Sequence, residues 1–120
     1  MSEPAAEPAG VLLVDKPQGI TSHDVVDSVR RLYRTRRVGH AGTLDPLASG
    51  LLIALAGRAR RLQEFFVDRE KTYVARIRFG ETSPTLDAEG PVTSTGIPPP
   101  STSPADARAL LDRFQGAVLQ

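Results

Sequence analysis

One twelve-residue run holds most of the chemistry this chain can offer: Gly39-His40-Ala41-Gly42-Thr43-Leu44-Asp45-Pro46-Leu47-Ala48-Ser49-Gly50. Its glycines permit close backbone approach, and Pro46 biases the residue before it toward extended geometry, so Asp45 is expected at a fixed place on an ordered loop. A carboxylate held that way can serve as a base or a nucleophile. The plainer alternative is an Asx turn, in which an Asp before Pro only starts a bend. His40 alone reads as a loop histidine satisfied by its neighbours, and Lys16 as part of a surface turn over Asp15-Lys16-Pro17-Gln18-Gly19. Other schemes fail on spacing. Ser22-His23-Asp24 cannot be a catalytic triad, because consecutive helical residues face different ways. A Walker-type phosphate cradle needs Gly-Lys-Ser/Thr, which is absent. Asp87-Ala88-Glu89-Gly90 lacks the bidentate Glu of a calcium loop and is expected to be a turn.

Composition narrows the field further. The 120 residues suit one domain. Zero Cys excludes disulfides and thiolate catalysis, and His23 and His40 cannot close a zinc site, so no structural metal is expected. No apolar run approaches the roughly 20 residues of a membrane span, and residues 1–10 carry acids without bases, so neither a span nor a secretory signal is expected and the chain reads as cytoplasmic. The net charge of +1 is unevenly spread: residues 11–80 hold 13 of the 15 Lys and Arg against 7 of the 14 acids. Thirteen of the bases are Arg, whose planar fork pairs with phosphate. Arg30, Arg31, Arg34, Arg36 and Arg37 fall close together, and Arg58, Arg60 and Arg61 form a second group. On charge alone, solvated helix faces and a polyanion footprint explain them equally well.

The elements that must position these residues follow from periodicity. Val11–Val14 predicts a strand and the residues after it a turn; Ser22 is expected to cap a helix with Val25, Val26, Val29, Leu32 and Tyr33 on one face. Gly39–Gly50 is expected to contain no regular structure. Leu51–Ala56 reads as a buried strand, and Arg58–Val67 as a helix with Leu62, Phe65 and Phe66 together. Tyr73, Ala75, Ile77 and Phe79 alternate with Val74, Arg76 and Arg78, which predicts a half-buried strand with Tyr73 pointing inward. The proline-rich residues 91–104 read as a linker, and Ser103-Pro104 with Asp106 predicts a final helix with Ala107, Leu110, Leu111 and Phe114 on one face. The class is therefore α/β or α+β.

Four segments carry a family resemblance in order and spacing: Gly10–Gly19 (Gly-Val-Leu-Leu-Val-Asp-Lys-Pro-Gln-Gly), Thr21-Ser22-His23-Asp24, Gly39–Pro46, and Asp68-Arg69-Glu70-Lys71-Thr72-Tyr73. Together they resemble the TruB family of tRNA pseudouridine synthases. The resemblance implies an α+β fold, a mixed sheet with packed helices. The first residues, rich in Ala, Pro and Glu, read as a flexible tail over 1–9; the resemblance implies a catalytic domain over 10–120 that the family continues further, with an Arg paired to the catalytic Asp, a second Tyr and a Leu still to come. The chain alone is then expected to have little activity. It further implies cofactor-free isomerisation of the T-loop uridine at tRNA position 55, on a flipped nucleotide.

By the same resemblance, Asp45 is the catalytic residue, acting as nucleophile at ring or sugar or as base toward a glycal, and a neighbouring cation is expected to keep it ionised. Tyr73 stacks on the target uracil, and His40 fills the space the flipped base leaves. Lys16, Gly42 and Leu44 support the loop. Arg30, Arg31, Arg34, Arg36 and Arg37 contact the RNA backbone. The partner is the tRNA T-arm, bound by a monomer without metal or membrane. Ser83-Pro84-Thr85 departs from the family's Thr-Asp-Thr. The competing reading is a noncatalytic RNA-binding module or an inactive fragment.

Overall fold

The computed structural model describes residues 6–97, 103–117 and 119. Its class is α+β, and the chain divides into two compact units at the Tyr73–Val74 peptide.

The first unit runs β1 (Gly10–Lys16), α1 (Ser22–Tyr33), β2 (Val38–His40), β3 (Gly50–Ala56), a 3-10 helix over Gly57–Leu62, and α2 (Gln63–Val67). The sheet order is β1-β3-β2, antiparallel throughout, with Val14 opposite Leu52, Leu12 opposite Ala54 and Val38 opposite Ala56. Alternation along β3 sends Leu52, Ala54 and Ala56 to one face, where Val25, Val26 and Val29 of α1 cover them. Leu12, Val14, Ile20 and Leu44 close the margin of this core. Each buried valine contributes about 2 kcal/mol, and Val26→Asp would bury an unpaired charge there. On the opposite face Leu13 and Leu51 are 71% and 62% exposed.

The start of α1 is fixed by a capping box. The Thr21 hydroxyl accepts from the Asp24 N–H at 3.1 Å, and the Asp24 carboxylate accepts from the Thr21 N–H at 2.7 Å. The cap is therefore Thr21 rather than Ser22, because only Thr21 has an acid three residues on. Three β-branched valines are indifferent helix formers, so packing on the sheet stabilises α1 more than propensity does. Its apolar stripe stops short of expectation: Leu32 and Tyr33 are exposed, and Arg34 ends the helix at φ 52°.

Three further expectations need correction. Gly39 and His40 belong to β2 and Gly50 to β3, because both strands use main-chain ladder bonds that glycine can supply, and the true loop is 41–49. The segment predicted as one helix begins as a 3-10 helix, and Leu62 and Phe65 stay exposed. Tyr73, expected to point inward, is 64% exposed. No described strand pairs with the segment that follows it, so the alternating pattern has no ladder to join.

The second unit begins in that exposed segment. β4 (Glu81–Thr82) pairs antiparallel with β5 (Thr93–Ser94). Between them the Ser83 hydroxyl donates to the Asp87 carbonyl at 2.5 Å, the Thr85 hydroxyl to the Asp87 carboxylate at 2.6 Å, and the Glu89 N–H to the same carboxylate at 2.9 Å, giving the expected turn. These donors, the Thr85 hydroxyl first, hold the Asp87 carboxyl below its usual range. Helix α3 (Pro104–Asp112) has the predicted cap, Ser103 and Asp106 bonding reciprocally, but Leu110, Leu111 and Phe114 remain exposed. Pro98-Pro99-Pro100 of the expected linker lie outside the described residues.

Candidate active site

The loop that bears Asp45 leaves the sheet gradually. The Ala41 N–H still donates to the Ile53 carbonyl at 2.9 Å, extending the β2–β3 ladder by one bond, and Gly42 then turns the chain at φ 100°. An L side chain rarely adopts that angle. Leu44 returns to the core, packing against the α1–β3 cluster. Its main chain is gripped as well, through the peptide groups on either side: the buried Ser22 Oγ accepts from the Leu44 N–H at 2.9 Å and donates to the Leu44 carbonyl at 3.1 Å.

On the other side of Asp45, the Pro46 carbonyl accepts from the Gly19 N–H at 2.8 Å and from Lys16 Nζ at 3.5 Å. Lys16 is fully buried, with Nζ also donating to the carbonyls of Pro17 at 2.9 Å and Ile20 at 2.7 Å. It is not part of a surface turn. The bend after Asp45 is closed by the Ala48 N–H on the Asp45 carbonyl at 2.9 Å, a main-chain turn rather than an Asx turn. Asp45 thus stands between two anchored residues while its own side chain is exposed, with no hydrogen-bond partner among the described residues. The cation expected beside it is not found among them either, where the ion pairs are His23–Asp27, Arg30–Asp27, Arg37–Glu7 and Arg78–Glu81.

His40 Nδ1 lies 2.7 Å from the Gly42 carbonyl. A carbonyl only accepts, so Nδ1 carries the hydrogen, and in the neutral ring Nε2 is left as an acceptor. Gly42 and Leu44 line a cleft of about 390 Å³ together with Leu51, Phe66, Lys71 and Tyr73. Lys71 reaches across the end of α2, donating to the carbonyls of Val67 at 2.5 Å and Arg69 at 3.2 Å. Asp45 and His40 are not lining residues; they adjoin the cleft through Leu44 and Gly42. The fold therefore brings His40, at the end of β2, together with Gly42, Leu44 and Asp45 of the loop that Lys16 anchors from β1, and Tyr73 lines the same cleft as Gly42 and Leu44.

The five arginines divide. Arg30 turns inward, donating to Asp27 at 2.9 Å and the Val38 carbonyl at 3.4 Å, and Arg37 pairs with Glu7 at 3.1 Å. Arg31, Arg34 and Arg36 are exposed, Arg31 bonding the Ser28 hydroxyl. Reading by type alone missed Ser22 and Gly19 as loop anchors, and Arg69 and Lys71 as cleft residues. The signal for Ser22 was present: Thr21-x-x-Asp24 completes a capping box and leaves the next hydroxyl over for another use. Among the described residues no group of three His, Cys, Asp or Glu is placed to hold a metal ion, and no helix is long and apolar enough to cross a membrane.

Residues 30–120 match the family described as TruB family pseudouridylate synthase (N terminal domain). Proteins named tRNA pseudouridine synthase B are similar to this chain. That of Opitutus terrae is 45% identical over 120 residues, all of this chain and 49% of the relative. That of Thermus thermophilus is 50% identical over 101 residues, 84% of this chain and 32% of the relative. That of Paenarthrobacter aurescens is 59% identical over 85 residues, 71% of this chain and 27% of the relative. The chain spans about half or less of the length of these curated relatives.

Proposed function

Because the chain belongs to the TruB family of pseudouridylate synthases, we propose that it supplies the catalytic aspartate of an enzyme that isomerises a uridine of tRNA to pseudouridine. One observation carries this reading: Asp45 presents a carboxylate with no partner among the described residues from a main chain anchored on both sides, beside a cleft with an exposed tyrosine. Anchored backbone and free side chain are what a nucleophile or base requires, since the group is oriented before substrate arrives and need break no internal bond to react.

The chemistry balances without oxidant or reductant. The N1–C1′ glycosidic bond breaks, a C5–C1′ bond forms, C5 loses a proton and N1 gains one. Asp45 acts either by attacking the ring or the sugar, or by taking a sugar proton to give a glycal. Tyr73 offers a flat face on which the flipped uracil stacks, and His40 fills the gap the base leaves in the RNA. Lys16, Gly42 and Leu44 keep the loop in place, and the exposed arginines grip phosphates. The target we assign is the T-loop uridine at position 55, acted on by a monomer in the cytoplasm with residues 10–120 as part of its catalytic domain.

The test is tritium release from tRNA labelled at uridine C5, using the protein as its natural source makes it. Release from the T-loop position by the wild type, lost in Asp45→Asn, is the expected result. No release from any uridine by the wild type, with tRNA still bound, would replace this reading by a noncatalytic RNA-binding module. Release from uridines elsewhere only would keep the isomerase and overturn the T-loop assignment.

A further inference from the structure

Resting on the synthase reading, we infer that Ser22 is a positioning residue for Asp45: its hydroxyl clasps the peptide on the N-terminal side of the aspartate and sets where the carboxylate stands. Ser22 is the first residue of α1 and only 3% exposed. It is not needed to start the helix, because Thr21 and Asp24 already cap it. Its Oγ instead meets both polar groups of Leu44, accepting from the N–H at 2.9 Å and donating to the carbonyl at 3.1 Å. Ser22 is twenty-two residues from Leu44 in the chain, yet it serves both of that residue's main-chain groups in the structure.

A hydroxyl is suited to this task because a single oxygen donates and accepts at once. Alanine does neither. Without the clasp the side chain of Leu44 would stay in the core, anchored by packing, but its peptide would be free to tilt. The tilt passes directly to Asp45, whose Cα is attached to that peptide, while the Pro46 end remains held by Gly19 and Lys16. Asp45 would then be displaced slightly rather than released. A misplacement of about 1 Å in a catalytic group lowers turnover by roughly 10²-fold.

The experiment compares wild type, Ser22→Ala and Ser22→Thr in the protein as its natural source makes it, by tritium release and by amide hydrogen exchange. Ser22→Ala is expected to lower kcat by about tenfold to a hundredfold with KM for tRNA unchanged. The Leu44 amide should lose protection while Val26 and Val29 keep theirs. Ser22→Thr, which keeps the hydroxyl, should recover most of kcat. Wild-type kcat in Ser22→Ala, or protection lost throughout α1 with no recovery in Ser22→Thr, would overturn the inference and leave the synthase reading standing. A wild-type protein that releases no tritium would overturn the synthase reading, and this inference with it.

Discussion

The Gly19 N–H donates to the Pro46 carbonyl at 2.8 Å, so the turn after β1 holds the residue that follows Asp45. Lys16 reaches the same oxygen from a fully buried position and satisfies the Pro17 and Ile20 carbonyls besides. Lys16→Met keeps most of the apolar stem and removes every donor. The Pro46 carbonyl keeps its Gly19 N–H, but the Pro17 and Ile20 carbonyls lose the ammonium, and at about 1–3 kcal/mol for a buried group left unpaired the variant should lose about 1–3 kcal/mol of stability. A urea melt checks this, read as a lower midpoint at an unchanged slope.

Gly42→Ala should destabilise through the backbone rather than by collision. At φ 100° an alanine is strained by about 1–3 kcal/mol, whereas its Cβ would meet Lys71 Cε at an ordinary 3.4 Å. Relief of the strain would move the peptides between His40 and Leu44. We expect a lower melting temperature together with a fall in kcat, and truncating Lys71 to Ala in the same chain should restore neither.

Salt dependence separates the arginines. Arg31→Gln, Arg34→Gln and Arg36→Gln should each weaken tRNA binding and reduce the slope of log K against log salt by about 1. Arg30 spends its guanidinium on Asp27 and the Val38 carbonyl. Arg30→Gln should therefore lower the urea midpoint and leave the slope of tRNA binding nearly unchanged. Filter binding over a salt series distinguishes the two groups.

The capping box gives α1 an acid-sensitive start. The Thr21 hydroxyl, and next the Thr21 N–H, hold the Asp24 carboxyl below its ordinary value of 3.8. A depressed folded value means the contribution is present above the unfolded value and is lost as pH falls through the folded one. Wild-type stability should thus decline below about pH 4. Asp24→Asn should melt lower at pH 7 and lose less on going to pH 3, as thermal melts at the two pH values would record.

Local bonding explains which features could be read in advance. The α3 cap and the start of α1 are written in hydroxyl–acid spacings three residues apart, and the core face of α1 in Val25, Val26 and Val29, all interactions within one or two turns. The place of Asp45 on a held loop was legible from its glycines and Pro46. What holds the loop was not, because Ser22–Leu44, Gly19–Pro46 and Lys16–Pro46 join residues more than twenty positions apart, and no periodicity records them. Tyr73 failed for a related reason. Alternation reports which face a strand would bury, but burial also needs a neighbouring strand, and none of those described pairs there.

The central claim is that Asp45 performs the chemistry without contributing to binding or fold. Single-turnover conversion of a T-arm stem–loop, measured beside its dissociation constant and the protein's melting temperature, tests this most directly for wild type and Asp45→Asn. We predict conversion by the wild type and none detectable by Asp45→Asn, with affinity and melting temperature equal in both. Conversion by Asp45→Asn at the wild-type rate would contradict the account, because the anchored loop would then be presenting a carboxylate the reaction does not use.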